Sequence, residues 1–290
     1  MRVLTLIAPQ GSAALTTALI ARVAEAVRGG PPRILSPGEA AEIAVPAAPD
    51  PALVHAALDA APVDAVVTPA EGRRKRLLIA DMDSTIVTTE TLDELAAYAG
   101  LQDRVAAITR RSMNGEIDFA AALRERVGLL RGLPLEALAR TWEATTLMPG
   151  AVELLATMRA HGALTALVSG GFTYFTGRVA TQLRFDVHRA NTLLDDGAAL
   201  TGEVGEPILD RAAKLDTLRE LAAERGLAME DCLAVGDGAN DLAMLREAGL
   251  GVAFHAKPIV SAEAQARIEH CGLRALLFIQ GYDAHEFLTA

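Results

Sequence analysis

Cysteine is almost missing from this chain of 290 residues, which has only Cys232 and Cys271. Neither lies in a CxxC pair or a Cys/His cluster, so no zinc site or disulfide framework is signalled, and both are expected as buried free thiols in a reducing compartment. Aromatics are scarce at 4%, with Trp142 the single tryptophan, so a core must be built from Ala, Leu, Val and Ile. No stretch approaches the ~20 apolar residues that span a bilayer. The first apolar run, Val3–Ala8, is stopped by Pro9, Gln10 and Gly11 before it reaches the length of a secretory signal. Cations are outnumbered 27 to 37, giving a net charge of −10, a field of the wrong sign for nucleic acid or an anionic membrane. A soluble cytoplasmic protein is expected, and any phosphate-bearing substrate has to be drawn in by local cations.

What is present is ample apolar material. Hydrophobic residues make up 51% of the chain and charged residues 22%, enough for a packed core and too apolar for global disorder. Residues 2–7 read as a strand and 12–28 as a helix, with Ser12 as its cap and Gly29-Gly30 as its stop. Short strands are expected near Ile34 and Ile43, a helix over 51–60 and a strand over 63–67. That β-α-β-β-α-β order over residues 1–70 suits a small α+β unit with the element order of an ACT-type regulatory fold, serving to bind a regulatory ligand, for packing or for dimerisation. The basic run Arg73-Arg74-Lys75-Arg76 reads as a solvated linker.

From Leu77 the pattern changes. Apolar strand-like runs at 77–80, 164–168, 233–235 and 251–254 alternate with helical stretches at 151–160, 211–225 and 239–247. This alternation predicts an α/β core with a Rossmann-like parallel sheet covered on both faces, over 76–91 and 149–290. The more charged, mostly helical stretch 92–148 reads as a cap inserted into it. The six histidines show no metal spacing, and Asp93 and Glu94 suit the first turn of a cap helix.

Three strands end in polar residues of one kind: Asp81-Met82-Asp83-Ser84-Thr85, Ser169-Gly170-Gly171, and Gly236-Asp237-Gly238-Ala239-Asn240-Asp241. Ligands of open parallel sheets bind beyond the carboxyl ends of the strands, so four carboxylates are expected to converge there. Such acids repel unless a cation joins them, and oxygen ligands of this type suit Mg²⁺. Lys214 can supply further positive charge. Asp81 is then placed to attack phosphorus and Asp83 to protonate a leaving alkoxide. Gly170 and Gly171 leave backbone N–H groups for phosphate oxygens near a helix start. Each element alone reads more simply as a turn or a helix cap; it is the ordered set that is specific.

That set resembles the haloacid-dehalogenase-type phosphatases, and within them the phosphoserine phosphatase branch, over residues ~76–280. The matching runs are DMDSTIVTTETLDELA, GEIDFAAALRERVGLLRGLP, VSGGF, AN-TL, TGEV, VGDGANDLAML and AFHAKP. The resemblance implies Asp81 as nucleophile and metal ligand, and Asp83 as general acid/base that also binds Mg²⁺ through its backbone carbonyl. It implies Asp237 as the third protein ligand, and Asp241 as a holder of metal waters or of Lys214. Ser169, Gly170, Lys214 and Asn240 would bind phosphate. Glu90 would accept from the ammonium of O-phospho-L-serine and Arg126 would clamp its carboxylate, with Met113 and Phe119 lining the closed pocket. The alternatives are another small phosphorylated amino acid or alcohol as substrate, phosphoryl transfer to another acceptor, or a non-catalytic amino-acid sensor. The sensor would have lost at least one of Asp81, Asp83, Lys214 and Asp237, and all four are present.

Overall fold

The computed structural model describes residues 1–113 and 116–289, without the side chain of Met113. The N-terminal unit runs β1 (Arg2–Ile7), α1 (Thr17–Ala26), β2 (Arg33–Ser36), β3 (Ala40–Val45), α2 (Pro51–Leu58) and β4 (Asp64–Pro69). Its sheet has the order β2-β3-β1-β4, antiparallel throughout. Leu4, Leu6, Ile20, Val23, Ile43 and Val54 pack between the sheet and the two helices. The first helix starts later than its composition suggests. Thr16, not Ser12, is the cap and accepts the Leu19 N–H at 3.1 Å; Ser12 instead closes a turn onto Ala14, and Ala13 at φ +54° breaks any helix there.

The second unit begins with β5 (Leu77–Ala80). Four helices follow it: α3 (Thr91–Tyr98), α4 (Gln102–Met113), α5 (Phe119–Gly128) and α6 (Glu136–Ala144). These helices form the insertion that follows β5, termed the cap, with Asp93 and Glu94 in the first turn of α3 as expected. The chain returns through α7 (Ala151–Ala160), β6 (Leu164–Phe172), α8 (Thr173–Leu183), β7 (Val187–Asn191), and a hairpin of β8 (Leu193–Asp195) and β9 (Leu200–Val204). It ends with α9 (Ala212–Glu224), β10 (Cys232–Gly236), α10 (Leu242–Glu247), β11 (Leu250–Phe254), α11 (Pro258–Ser261), β12 (Ala266–Ile268) and α12 (Ala275–Phe278). The sheet order is β12-β11-β10-β5-β6-β7, all parallel. The first strand, β5, thus lies centrally between β6 and β10, which is where an open α/β sheet forms its crevice. Both cysteines are free and buried. No helix among the described residues is long and apolar enough to cross a membrane.

The basic run between the units is solvated only in part: Arg74 and Arg76 are exposed, but Arg73 is not. Arg73 keeps only 10% of its side chain exposed and pairs with Glu42 at 2.5 Å; it also donates to Thr5 Oγ1 and to the Ile279 carbonyl. A charge this enclosed is tolerated because Glu42 opposes it and because Nε and Nη2 both find acceptors. Arg74 makes a two-pronged pair with Glu286. Ile7, Leu35 and Val66, from the sheet face turned away from α1 and α2, share one apolar cluster with Leu276, Phe278 and Ile279.

Candidate active site

The acids at the strand tips do meet. Asp81 directly follows β5 and is 6% exposed; its Oδ1 accepts the Met82 N–H at 2.7 Å and the Lys214 ammonium at 2.8 Å. Lys214, from the first turn of α9, also reaches Asp241 Oδ1 at 2.5 Å, while Asp241 Oδ2 accepts the Gly238 N–H at 2.9 Å. Lys214 is 2% and Asp241 0% exposed. Asp81, Asp237 and Asp241 each present a carboxylate oxygen within 4.8 Å of the others, the one such His/Cys/Asp/Glu group among the described residues. Gly236 is required here by space, since a Cβ would strike the Asp241 carboxylate.

Burial opposes the charge on Lys214, but Asp241 and Asp81 outweigh it and raise its pKa. Burial, with Asp81 adding, pushes Asp241 upward against the pull of Lys214. Burial, then Asp81 and Glu90, push Asp237 up to about 6.

Asp83 stands apart from the triangle. Its Oδ1 accepts the Thr91 N–H that opens α3, at 3.1 Å, so it borders the crevice without joining the three oxygens that meet. Burial, then the charges of Glu90 and Asp81, raise the Asp83 pKa well above the ordinary carboxylate value. Next to it Ser84 sits at φ +53°, a costly conformation for a residue with a Cβ, and donates to Glu90 Oε1 at 2.7 Å. Glu90 lies at the exposed rim, its pKa raised by desolvation and by Asp81 and Asp93 against the Ser84 hydrogen bond.

The second strand tip forms a tight loop. Ser169 Oγ accepts the Gly171 N–H at 2.9 Å, so that amide is already engaged. A Cβ on Gly171 would lie 3.0 Å from Asp83 Oδ2 and 3.1 Å from Ser169 Oγ, which explains the glycine. Phe119, at the start of α5, closes over this loop; its ring would be 3.5 Å from a Cβ on Gly170. A cavity lined by Phe119, Ser169, Gly170, Lys214 and Asn240 remains between cap and core. Half-buried Arg126 has its pKa lowered by desolvation, while Asp93 and Glu90 act in the opposite sense; Arg126 and Glu90 thus share one neighbourhood. The assignment of Met113 falls on a side chain outside the described residues.

Two more residues support the site; both lie in runs that match the family, but neither was singled out from its run. Asn191, 1% exposed, donates to the Gly170 and Leu209 carbonyls and accepts the Leu209 N–H. It therefore fixes the back of the Ser-Gly-Gly loop, as a buried amide at a strand end must find partners. Lys257 lies beyond β11 with its N–H directed at the Asp237 carbonyl, 3.4 Å away. Its charge acts on both Asp237 and Glu90.

The raised Asp237 pKa has a consequence for stability. Its folded value of about 6 exceeds the ordinary 3.8, so the folded state holds the proton more tightly than the unfolded chain. That contribution is complete below pH 3.8 and is lost as pH rises through about 6. Metal-free protein is therefore expected to have a higher Tm at pH 5 than at pH 7.5, and a divalent cation should raise Tm more at pH 7.5. Differential scanning calorimetry in EDTA and in Mg²⁺ checks this; a Tm gain from Mg²⁺ equal at both pH values would contradict it.

The family profile described as haloacid dehalogenase-like hydrolase matches residues 78–246. A phosphoserine phosphatase of Archaeoglobus fulgidus is 45% identical over 196 residues, 68% of this chain and 57% of that protein; the chain thus spans little more than half of that longer relative. A phosphoserine phosphatase of Methanocaldococcus jannaschii is 40% identical over 205 residues, 71% of this chain and 97% of that protein. Among solved structures, a HAD family hydrolase from Salmonella enterica serovar Typhi superposes with a TM-score of 0.85 at 31% identity, covering 97% of this chain and 99% of that one.

Proposed function

Because the chain belongs to the haloacid dehalogenase-like hydrolase family, we propose that it is a Mg²⁺-dependent phosphatase that hydrolyses O-phospho-L-serine to L-serine and phosphate, the last step of the phosphorylated route to serine. The observation that carries this reading is the cluster of Asp81, Asp237 and Asp241 braced by Lys214, with the charge of Glu90 acting on Arg126 nearby. An all-oxygen donor set suits a hard cation. Asp81, Asp237 and the Asp83 backbone carbonyl would hold Mg²⁺, which would offset the gathered negative charge and polarise the phosphoryl group.

The remaining steps belong to this chain's own groups. An Asp81 carboxylate oxygen attacks phosphorus as the bond from phosphorus to the serine oxygen breaks, forming an aspartyl-phosphate. Asp83 gives its proton to the departing serine oxygen. Its raised pKa suits that role, since the acid form persists nearer neutrality. Asp83, now a carboxylate, takes a proton from water; the resulting hydroxide attacks phosphorus, the bond to Asp81 breaks, and phosphate leaves. Lys214 and Ser169 hold phosphoryl oxygens, with the Gly170 amide. Phe119 over the Ser-Gly-Gly loop keeps bulk water out. Asp241, spent on Lys214 and on the Gly238 amide, orients the lysine.

The test is phosphate release from O-phospho-L-serine and from glycerol phosphate, with Mg²⁺ and with EDTA. Turnover only with Mg²⁺, and at least about tenfold preference for phosphoserine, is expected because only that substrate pairs with Glu90 and Arg126. Equal rates on the two substrates would remove the phosphoserine assignment. Arg126→Ala is expected to raise KM for phosphoserine by about 10–100-fold, the loss of one charge-assisted fork. Initial rates across substrate concentration check it, and an unchanged KM would withdraw Arg126 from carboxylate recognition.

A further inference from the structure

The stretch 269–274 touches three parts of the molecule at once. On the N-terminal side, buried Asp64 at the start of β4 accepts the Glu269 N–H at 2.9 Å and the Cys271 N–H at 3.0 Å, with the His270 N–H shared between its oxygens. Glu39, beside β3, accepts Arg274 Nε and Nη2 at 3.0 and 3.1 Å. These are the acids of a unit that carries none of the proposed chemistry.

On the other side the same residues grip the frame of the crevice. The Leu273 N–H donates to the Pro149 carbonyl at 2.8 Å. Gly150, at φ +87°, runs so close that a Cβ there would collide with the Arg274 backbone. Arg274 Nη1 reaches Glu153, in the first turn of α7, at 3.2 Å. Pro149 and Gly150 are where the chain returns from the cap. Its outgoing strand lies alongside, joined through Thr88 N–H to Thr146 O and Met148 N–H to Ile86 O. Cys271 also offers its carbonyl to His255 Nε2 at 2.9 Å. His255 sits at φ +47°, two residues before Lys257, whose N–H points at Asp237.

An interdomain fastening alone would need only Asp64 and Glu39 against any surface of the core. Here they act on the one segment that backs both the cap connection and the Lys257 loop, and the ion pairs are largely shielded, at 16% exposure for Arg274 and 11% for Glu39, so salt screens them little. We infer that Asp64 and Glu39 are positioning residues of the N-terminal unit: by fixing 269–274 they set the angle at which the cap leaves Pro149–Gly150 and closes over the crevice. The inference rests on the proposed phosphoserine reading for its kinetic arm only.

The test uses full-length Glu39→Gln and Asp64→Asn, which keep side-chain shape. Both are expected to raise KM for O-phospho-L-serine about threefold or more, since small misplacements of gripping residues weaken a closed complex. On p-nitrophenyl phosphate, which offers no ammonium or carboxylate to the cap, kcat/KM is expected to stay within about twofold. Deuterium uptake in peptides spanning 146–153 is expected to be faster than in the parent. Unchanged uptake there in both variants, or equal losses on both substrates, overturns the inference. If the parent protein fails to turn over phosphoserine, the substrate assignment falls while the uptake measurement still decides the role of 269–274. Should Asp64→Asn not fold, Glu39→Gln alone decides it.

Discussion

Asp81→Asn is expected to leave a folded protein with phosphate release lowered by at least about a thousandfold, roughly 4 kcal/mol of barrier. The substitution keeps the shape of a side chain that is 6% exposed and keeps an oxygen for the Met82 amide. Lys214 remains paired with Asp241, so folding has little to lose. What goes is the anionic oxygen that attacks phosphorus and one of the three carboxylates of the cluster, and an amide substitutes for neither. Circular dichroism checks the fold, and acid-quenched trapping of an acyl phosphate in the parent but not in the variant checks the intermediate. Residual turnover within about tenfold of the parent would end the assignment of Asp81 as nucleophile.

Lys214→Met carries the largest expected structural effect. The ammonium is 2% exposed and sits between Asp81 at 2.8 Å and Asp241 at 2.5 Å. Taking away one partner of a buried charged set leaves the others uncompensated, which typically costs about 3–5 kcal/mol. Urea unfolding in EDTA measures that loss, and a cost under about 1 kcal/mol would mean that water reaches Asp241 despite its burial. Mg²⁺ is expected to restore part of the stability, by binding the folded state alone, but not the activity, because the phosphoryl group has lost its cation.

How much of this was legible beforehand differs by element, for physical reasons. The strand β5 was read to the residue, and β10 and β11 to within about one or two, because a strand buried on both faces shows as a continuous apolar run. β7, with the sequence VHRAN, and three-residue β12 are edge strands of the sheet, and their mixed polarity and shortness gave no such signal. The strand-end acids were found because strand, polar tip and glycine recur together. Glu90 and Arg126 carry no pattern of their own and came only from the family resemblance. The enclosure of Arg73 is not legible, because a basic run says nothing about the distant acids it meets. Glu42, which encloses it, is separated from it by a helix and a strand.

The apolar cluster in which Ile7, Leu35 and Val66 meet Leu276, Phe278 and Ile279 also bears on how such a chain can evolve or be trimmed. Relatives such as the Methanocaldococcus jannaschii protein align along nearly their whole length with 71% of this one, so the catalytic architecture can exist as a smaller molecule. This chain cannot be cut down to that size without repainting: deleting the first unit would bare greasy side chains to water and invite self-association. The two units share one buried wall, so a change of side-chain volume on either face strains or hollows the other.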